Sequence, residues 1–256
     1  LELLQGEKNK LITLMLDVGE ALIYSGAEIN RVENTLEHIG KAYCAKRVNV
    51  FALNSYISLT VDFDDEENIT KTRRVLSKGD TDLQKIDELN ALSRSLELKP
   101  IALPELESKI NEITARKIPY WKTVFGHIVG AGSFAVFFGG SLLDGAFAAL
   151  IGLLLAIIKK YIEGYMPNKV FYTFAVSVFT SVMAYIAVRL VPALDMGKVI
   201  IGDIMLIVPG IAITNAFRSI MVGDTISGSM RLIECLLWAS ALAAGIMLPV
   251  LLLGGV

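Results

Sequence analysis

The sequence predicts an α+β domain over residues 1–118, followed by an all-α bundle of five membrane-crossing helices over residues 119–256. Three observations predict it. Charge is unevenly placed: 20 of the 26 acidic residues, and 16 of the 24 Lys and Arg, precede Ile118. Apolar periodicity in that first part changes from helical to two-residue spacing and back. The second part reads as five apolar runs, each near the roughly 20 residues that a hydrocarbon core of about 30 Å requires. A mean hydropathy of +0.56 places the whole chain outside the soluble class.

Leu11, Met15, Val18 and Leu22 recur at helical spacing and predict a first amphipathic helix from about Lys8 to Tyr24. Ser25, Gly26, Ala27 and Glu28 fit a capping box opening a second helix, with Ile29, Val32, Leu36, Ile39 and Tyr43 as its buried stripe. Arg31 lies three residues after Glu28, within reach of an ion pair, and Glu33 falls on the polar arc. From Val48 the period becomes two: Ile57, Leu59, Val61 and Phe63 alternate with polar residues, predicting a strand with one buried face. An acidic turn (Asp64 to Asn68) leads to a second alternating run, Ile69 to Leu76, so the pair reads as a hairpin with an earlier strand near Val48–Leu53 beside it. The turn lacks the glycine and terminal glutamate of a calcium loop. Asp80 or Thr81 is placed to cap a third helix, and Pro104 suits the start of a fourth that ends near Lys117.

The five apolar runs are Lys122–Gly140, Leu142–Ile158, Val170–Leu190, Val199–Phe217 and Leu232–Leu253. Lys and Arg concentrate in the segments that share a side with the first domain, which predicts a cytoplasmic first domain and an external carboxyl terminus. No signal peptide is expected before the first helix. An odd span number, with no internal repeat, predicts that a second copy or another small membrane subunit completes the assembly. Gly126 and Gly130, with Ala131 and Gly132 adjoining, have the small-residue spacing of close helix contacts.

The fourth run is broken by Pro209-Gly210, because proline removes a backbone donor and glycine loosens the next turn. Broken helices at membrane depth commonly bear the substrate site of a transporter. Asp203 precedes the break and reads either as a proton or cation site or as an interfacial acid. Asn215 and Arg218 follow it, three residues apart, and Arg218 reads as a carboxylate clamp or as a positive anchor. Asp224 and Glu234 each have Arg231 as a possible ion-pair partner; Glu234 is also a candidate proton carrier. His127 is read as a packed residue, and Asp144 as a cap on the second apolar helix.

Other chemistries find little support. Net charge is near zero in both parts, so there is no electrostatic case for nucleic acid. Cys44 and Cys235 fall in different parts and read as free thiols, not as a disulfide or a metal set. Catalytic triads, metal-ligand spacings and phosphate-binding glycine loops are missing, so no cofactor, metal or enzymatic activity is expected. A membrane-anchored hydrolase using Glu28 and Glu33, and a non-transporting assembly or sensor subunit, are the alternatives.

Two stretches carry a resemblance. SGAEINRVENTLEHIG (Ser25–Gly40) resembles the amino-terminal signature of the threonine/serine exporter family. VPGIAITNAFRSIMVGDTISGSMRLIE (Val208–Glu234) resembles its proline-glycine segment and the following loop. The matching positions are Gly26, Ala27, Glu28, Arg31, Val32 and Glu33, then Pro209, Gly210, Asn215, Arg218, Gly223, Asp224 and Gly228. The residue after the arginine, commonly acidic in the family, is Ser219 here, so no acid beside Arg218 is carried over. The resemblance implies ion-gradient-driven export of small carboxylate-bearing metabolites, amino acids such as threonine and serine or dicarboxylates such as succinate. It also implies either a ten-span single chain or a five-span subunit with a smaller membrane partner.

Overall fold

The structure, a computed structural model, describes residues 4–63, 68–75, 81–166 and 168–253. The acidic residues Asp64 to Glu67 and the candidate cap Asp80 lie outside the described residues. The chain divides into two compact units, one of Leu1–Arg116 with Ala212–Leu232, the other of Lys117–Ile211 with Ile233–Val256.

In the first unit, helices α1 (Gln5–Tyr24) and α2 (Ile29–Ala42) precede strands β1 (Arg47–Leu53), β2 (Tyr56–Asp62) and β3 (Asn68–Arg74), and helices α3 (Leu83–Leu98) and α4 (Leu103–Ala115) follow. The sheet is antiparallel in the order β1-β2-β3. Ile57, Leu59 and Val61 of β2 are fully buried beside Leu11, Met15 and Leu22 of α1, Val32 and Leu36 of α2, and Leu89 of α3 in one core. Each large side chain withdrawn from water in this way stabilises the fold by about 1.5–3 kcal/mol.

Strand register explains the basic residues of β3. Lys71 is opposite Leu59 and Arg73 opposite Ile57, so both point to the face that α1 covers. Lys71 Nζ donates to the Asn9 carbonyl at 2.8 Å and to Thr13 Oγ1 at 3.0 Å. Arg73 pairs with Asp17 and, at 3.0 Å, with Glu20. The edge strand is thus tied to α1 by charge, where an apolar edge would invite pairing with other chains.

The second unit holds α5 (Tyr120–Phe137), α6 (Leu142–Ile162) with a short 3-10 turn, α7 (Lys169–Leu190) and α8 (Met196–Ile204). It also takes the first residues of α9 (Gly210–Met221) and the later part of α10 (Thr225–Leu253). Ser141 and Asp144 form a reciprocal capping box at the start of α6, and Asp144 Oδ1 also accepts the Asp195 N–H at 2.8 Å.

The expected fold class needs correction. Among the described residues three helices, not five, are long and apolar enough to cross a membrane: Leu142–Tyr165, Lys169–Leu190 and Thr225–Leu253. The run from Val199 to Phe217 is two helices, of 9 and 12 residues, because the chain turns between Ile204 and Gly210. Helix α5 has 18 residues, and Lys122, Thr123, His127 and Ser133 dilute its apolar character. Nor does the three-stranded sheet lie in an independent block that ends before the apolar helices begin. Residues Ala212–Leu232, late in the chain, belong to the same unit as the sheet.

Of the glycines expected at close helix contacts, Gly130 and Gly132 are at such contacts, a Cβ there meeting Leu206 Cδ2 at 2.8 Å and the Gly145 carbonyl oxygen at 3.0 Å, but Gly126 is not. A Cβ on Gly126 would meet nothing within 4 Å, whereas one on Gly202 would lie 2.5 Å from the Ala131 carbonyl oxygen and 2.8 Å from Ala135 Cβ. Likewise one on Gly152 would meet the His127 carbonyl oxygen at 2.7 Å. Helices α5, α6 and α8 therefore approach backbone to backbone, the packing available where no hydrophobic force acts between helices. Gly202→Val is expected to lower the unfolding temperature in detergent, with overpacking costing about 1–3 kcal/mol. Gly126→Ala is expected to leave that temperature unchanged or slightly higher.

Candidate functional site

Two tight turns build the site, each a helix end closed by a glycine at positive φ. Gly26 (φ 82°) ends α1: its N–H donates to the Ile23 carbonyl and the Ala27 N–H to that of Leu22. Gly223 (φ 96°) ends α9 in the same manner, its N–H donating to Ile220 and the Asp224 N–H to Ser219. Both are Schellman closures, in which only glycine escapes a Cβ penalty.

The first closure displaces the expected capping box. Helix α2 begins at Ile29 and Glu28 is the residue before it, with no side-chain cap. Ser25 is the last residue of the α1 end; its hydroxyl is buried without a hydrogen-bond partner among the described residues, and its carbonyl accepts the Asp82 N–H at 3.0 Å. The third helix is capped by Asp82, one residue beyond Thr81, through its contact with the Lys85 N–H at 2.9 Å.

Freed from capping, Glu28 meets Arg218. Arg218 Nη1 lies 3.1 Å from Glu28 Oε1, across 190 positions of sequence. The glutamate is largely covered (16% exposed) while the guanidinium is open to solvent (63%). Asn215, one turn earlier on α9, is half-buried and lines a small void of about 20 Å³ with Gly26, Glu28, Asn54, Ser227 and Arg231. Asn54 Nδ2 donates to the Ser227 carbonyl at 3.3 Å. Asp224 opens α10, its carboxylate accepting the Ser227 N–H at 3.4 Å and its carbonyl the Gly228 N–H at 3.1 Å.

Glu33, one turn into α2, accepts the Ala52 N–H at 3.1 Å. Burial pushes its carboxyl above the usual range, the Ala52 hydrogen bond opposes this, and the nearby Asp224 and Glu37 carboxylates push it further up. Arg31 does not pair with Glu28; its side chain lines a polar cleft between α2 and α3.

The structure thus brings Gly26, Glu28, Glu33, Asn215, Arg218 and Asp224 into one unit. Asp203, Pro209, Gly210 and Glu234 belong to the other. Asp203, at the end of α8, is fully buried, and neither carboxylate oxygen has a hydrogen-bond partner among the described residues. Pro209 ends the turn between α8 and α9, and Gly210 is the first residue of α9. Glu234 is half-buried on α10.

Sequence reasoning missed Asn54, Thr35 and Asn90. Asn54 reads as an ordinary hairpin turn residue, with nothing local to show a contact 173 positions away. Thr35 and Asn90 did carry a signal, being polar residues on apolar stripes; their side chains bond to each other at 2.6 Å in the core.

Comparison with known proteins agrees with the two stretches that meet here. The family model described as "Putative threonine/serine exporter" matches residues 13–253. A protein of Mycobacterium tuberculosis named "Probable threonine/serine exporter" is 20% identical over 245 residues, which are 93% of this chain and 45% of that protein. The chain therefore spans about half the length of this curated relative. No solved structure matches the chain.

The raised Glu33 carboxyl sets a pH dependence. A carboxyl whose folded pKa exceeds its unfolded one lends stability that is fully present below the unfolded value and lost as pH rises through the folded one. At neutral pH the ionised form is therefore a cost. Glu33→Gln, which keeps an acceptor for Ala52, is expected to raise the unfolding temperature at pH 7, and the gain is expected to vanish as pH falls below the carboxylate range.

Proposed function

The chain belongs to the threonine/serine exporter family, a membrane protein family, and from that premise we propose that it is a subunit of a secondary exporter that binds the carboxylate of a small amino acid at Arg218. The observation that carries this reading is the pairing of an exposed guanidinium with a covered carboxylate, Arg218 with Glu28. An arginine fork holds a planar carboxylate in two-point contact. An internal carboxylate occupies it in the present arrangement, and a substrate carboxylate competes for the same donors.

Opened, the pair presents one cationic and one anionic group. A zwitterion satisfies both, its carboxylate on Arg218 and its ammonium on Glu28, so no charge is left unmatched when the internal pair parts. A dicarboxylate would leave Glu28 facing a like charge. The arrangement therefore favours threonine- or serine-like amino acids over succinate-like dicarboxylates. Asn215 supplies a further amide beside the pair, and Asp224 holds the α9–α10 turn behind it.

Coupling to an ion gradient rests on Asp203. An ionised carboxylate in an apolar helix bundle costs several kcal/mol unless paired or hydrated, so a buried acid there is a default carrier of a proton. Pro209 and Gly210 let α8 and α9 move as separate pieces, as gating requires. The first unit is read as cytoplasmic. The membrane assembly is read as including a second copy or another membrane subunit.

Two efflux measurements test this in cells preloaded with labelled threonine. Arg218→Ala is expected to lower efflux at least about tenfold at equal membrane abundance, the loss of a charge-assisted contact to the substrate of roughly 1.5–3 kcal/mol. Arg218→Lys is expected to recover only part. Wild-type efflux from Arg218→Ala would overturn the carboxylate site. Asp203→Asn is expected to abolish acceleration by an imposed proton gradient while exchange of internal for external threonine persists; an unaltered gradient response would remove Asp203 from the coupling.

A further inference from the structure

We propose that the cleft between α2 and α3 holds, at Arg31 and Arg94, an effector site for a small, non-aromatic dianion, separate in its ligating residues from the Glu28–Arg218 pair that also lines the cleft and is assigned to the amino acid. The cleft has a volume of about 570 Å³, within the ~300–1,000 Å³ usual for small-molecule sites. All of its lining belongs to the first unit.

The charges along its walls do not cancel. Glu28 is matched by Arg218 at 3.1 Å, and Glu97 is engaged by the His38 ring at 2.5 Å. That leaves Arg31 from α2 and Arg94 from α3, whose guanidiniums have no ion pair or hydrogen bond among the described residues. Two cations from facing helices in one depression repel each other, and a doubly negative ligand between them reverses the sign of that interaction. Guanidinium forks suit the two-point recognition of carboxylate or phosphate oxygens.

The rest of the lining defines the ligand's body. Eleven of the twelve lining residues are polar or charged, and Val222 is the single apolar one. Apart from the His38 imidazole, engaged by Glu97, no aromatic face or apolar wall is offered, which disfavours a nucleobase or an acyl chain. Asn34 adds an amide at the surface, and beneath it the buried Thr35–Asn90 hydrogen bond at 2.6 Å fixes the floor. A compact polar dianion, a dicarboxylate or a phosphorylated metabolite, fits this chemistry. By linking Arg31 and Arg94 it would fix α2 against α3, and α2 begins at the residue after Glu28.

The test is calorimetric titration of the full purified chain in detergent at low ionic strength, with malonate and inorganic phosphate as separate probes. At least one probe is expected to bind with a dissociation constant between about 10 µM and 1 mM and to raise the unfolding temperature. Malonate alone would identify the dicarboxylate class, and phosphate alone the phosphorylated class. Arg31→Ala with Arg94→Ala is expected to weaken binding at least tenfold without changing the unfolding temperature of the free protein, since both residues are exposed. Glu28→Gln with Arg218→Gln removes the other pair without altering net charge, and is expected to leave affinity within about threefold, which separates this site from the transport reading. Absence of binding by both probes overturns the proposal. So does undiminished binding by the Arg31/Arg94 variant, or loss of binding confined to the Glu28/Arg218 variant.

Discussion

One turn decides how this chain is divided. Between Ile204 and Gly210 an apolar run stops being a helix, because Pro209 has no N–H to continue the hydrogen-bond ladder and Gly210 gains little by staying in one. Helix α8 consequently stays with α5 and α6, packed through Gly202, while the residues from Ala212 onward join the unit that contains the sheet. Were the run continuous, Asn215 and Arg218 would be residues of a single apolar rod. The break makes them neighbours of the α1–α2 turn instead, and every property of the candidate site follows from that meeting.

The two glycine closures then do for the site what the proline does for the units. Gly26 and Gly223 both occupy the left-handed region, and each reverses the chain within a few residues so that a charged or polar side chain follows at once: Glu28 in one case, Asp224 in the other. The closures satisfy the last carbonyls of α1 and α9 from within the backbone, so no side chain is required as a cap there. Glu28 is in consequence available for Arg218. The stability of the exposed pair itself is small, since solvent screens such contacts and most contribute about 0–1 kcal/mol. That weakness is what the proposed displacement by a substrate carboxylate requires.

Much of this was legible in the sequence, and the failures have physical causes. The stripes of α1 and α2 and the alternation of β2 gave the right elements, since each pattern repeats with the period of its own backbone. Ser25 misled: serine three residues before glutamate is a valid capping signal, but the left-handed Gly26 between them overrides it, and sequence spacing cannot weigh φ. The five-span reading failed at Val199–Phe217 because a window of apolar residues measures composition, whereas a helix also needs an unbroken ladder of donors. The contact of Glu28 with Arg218 had no local signature whatever. It joins positions 190 apart, and only the partition of the chain into its two units makes it.

The two carboxyls named in the proposed function differ in their surroundings. Glu28 has a cation 3.1 Å away, and Asp203 has no hydrogen-bond partner among the described residues. A carboxylate beside a cation has its charge matched, whereas a buried acid with no partner is costly in an apolar bundle. Under the proposed function the first acid bears on what is bound and the second on when a proton moves. A chain that kept both acids in the same surroundings could not separate them. The break at Pro209 divides Asp203 from Arg218, so under the proposed function recognition and protonation answer to different units of the structure.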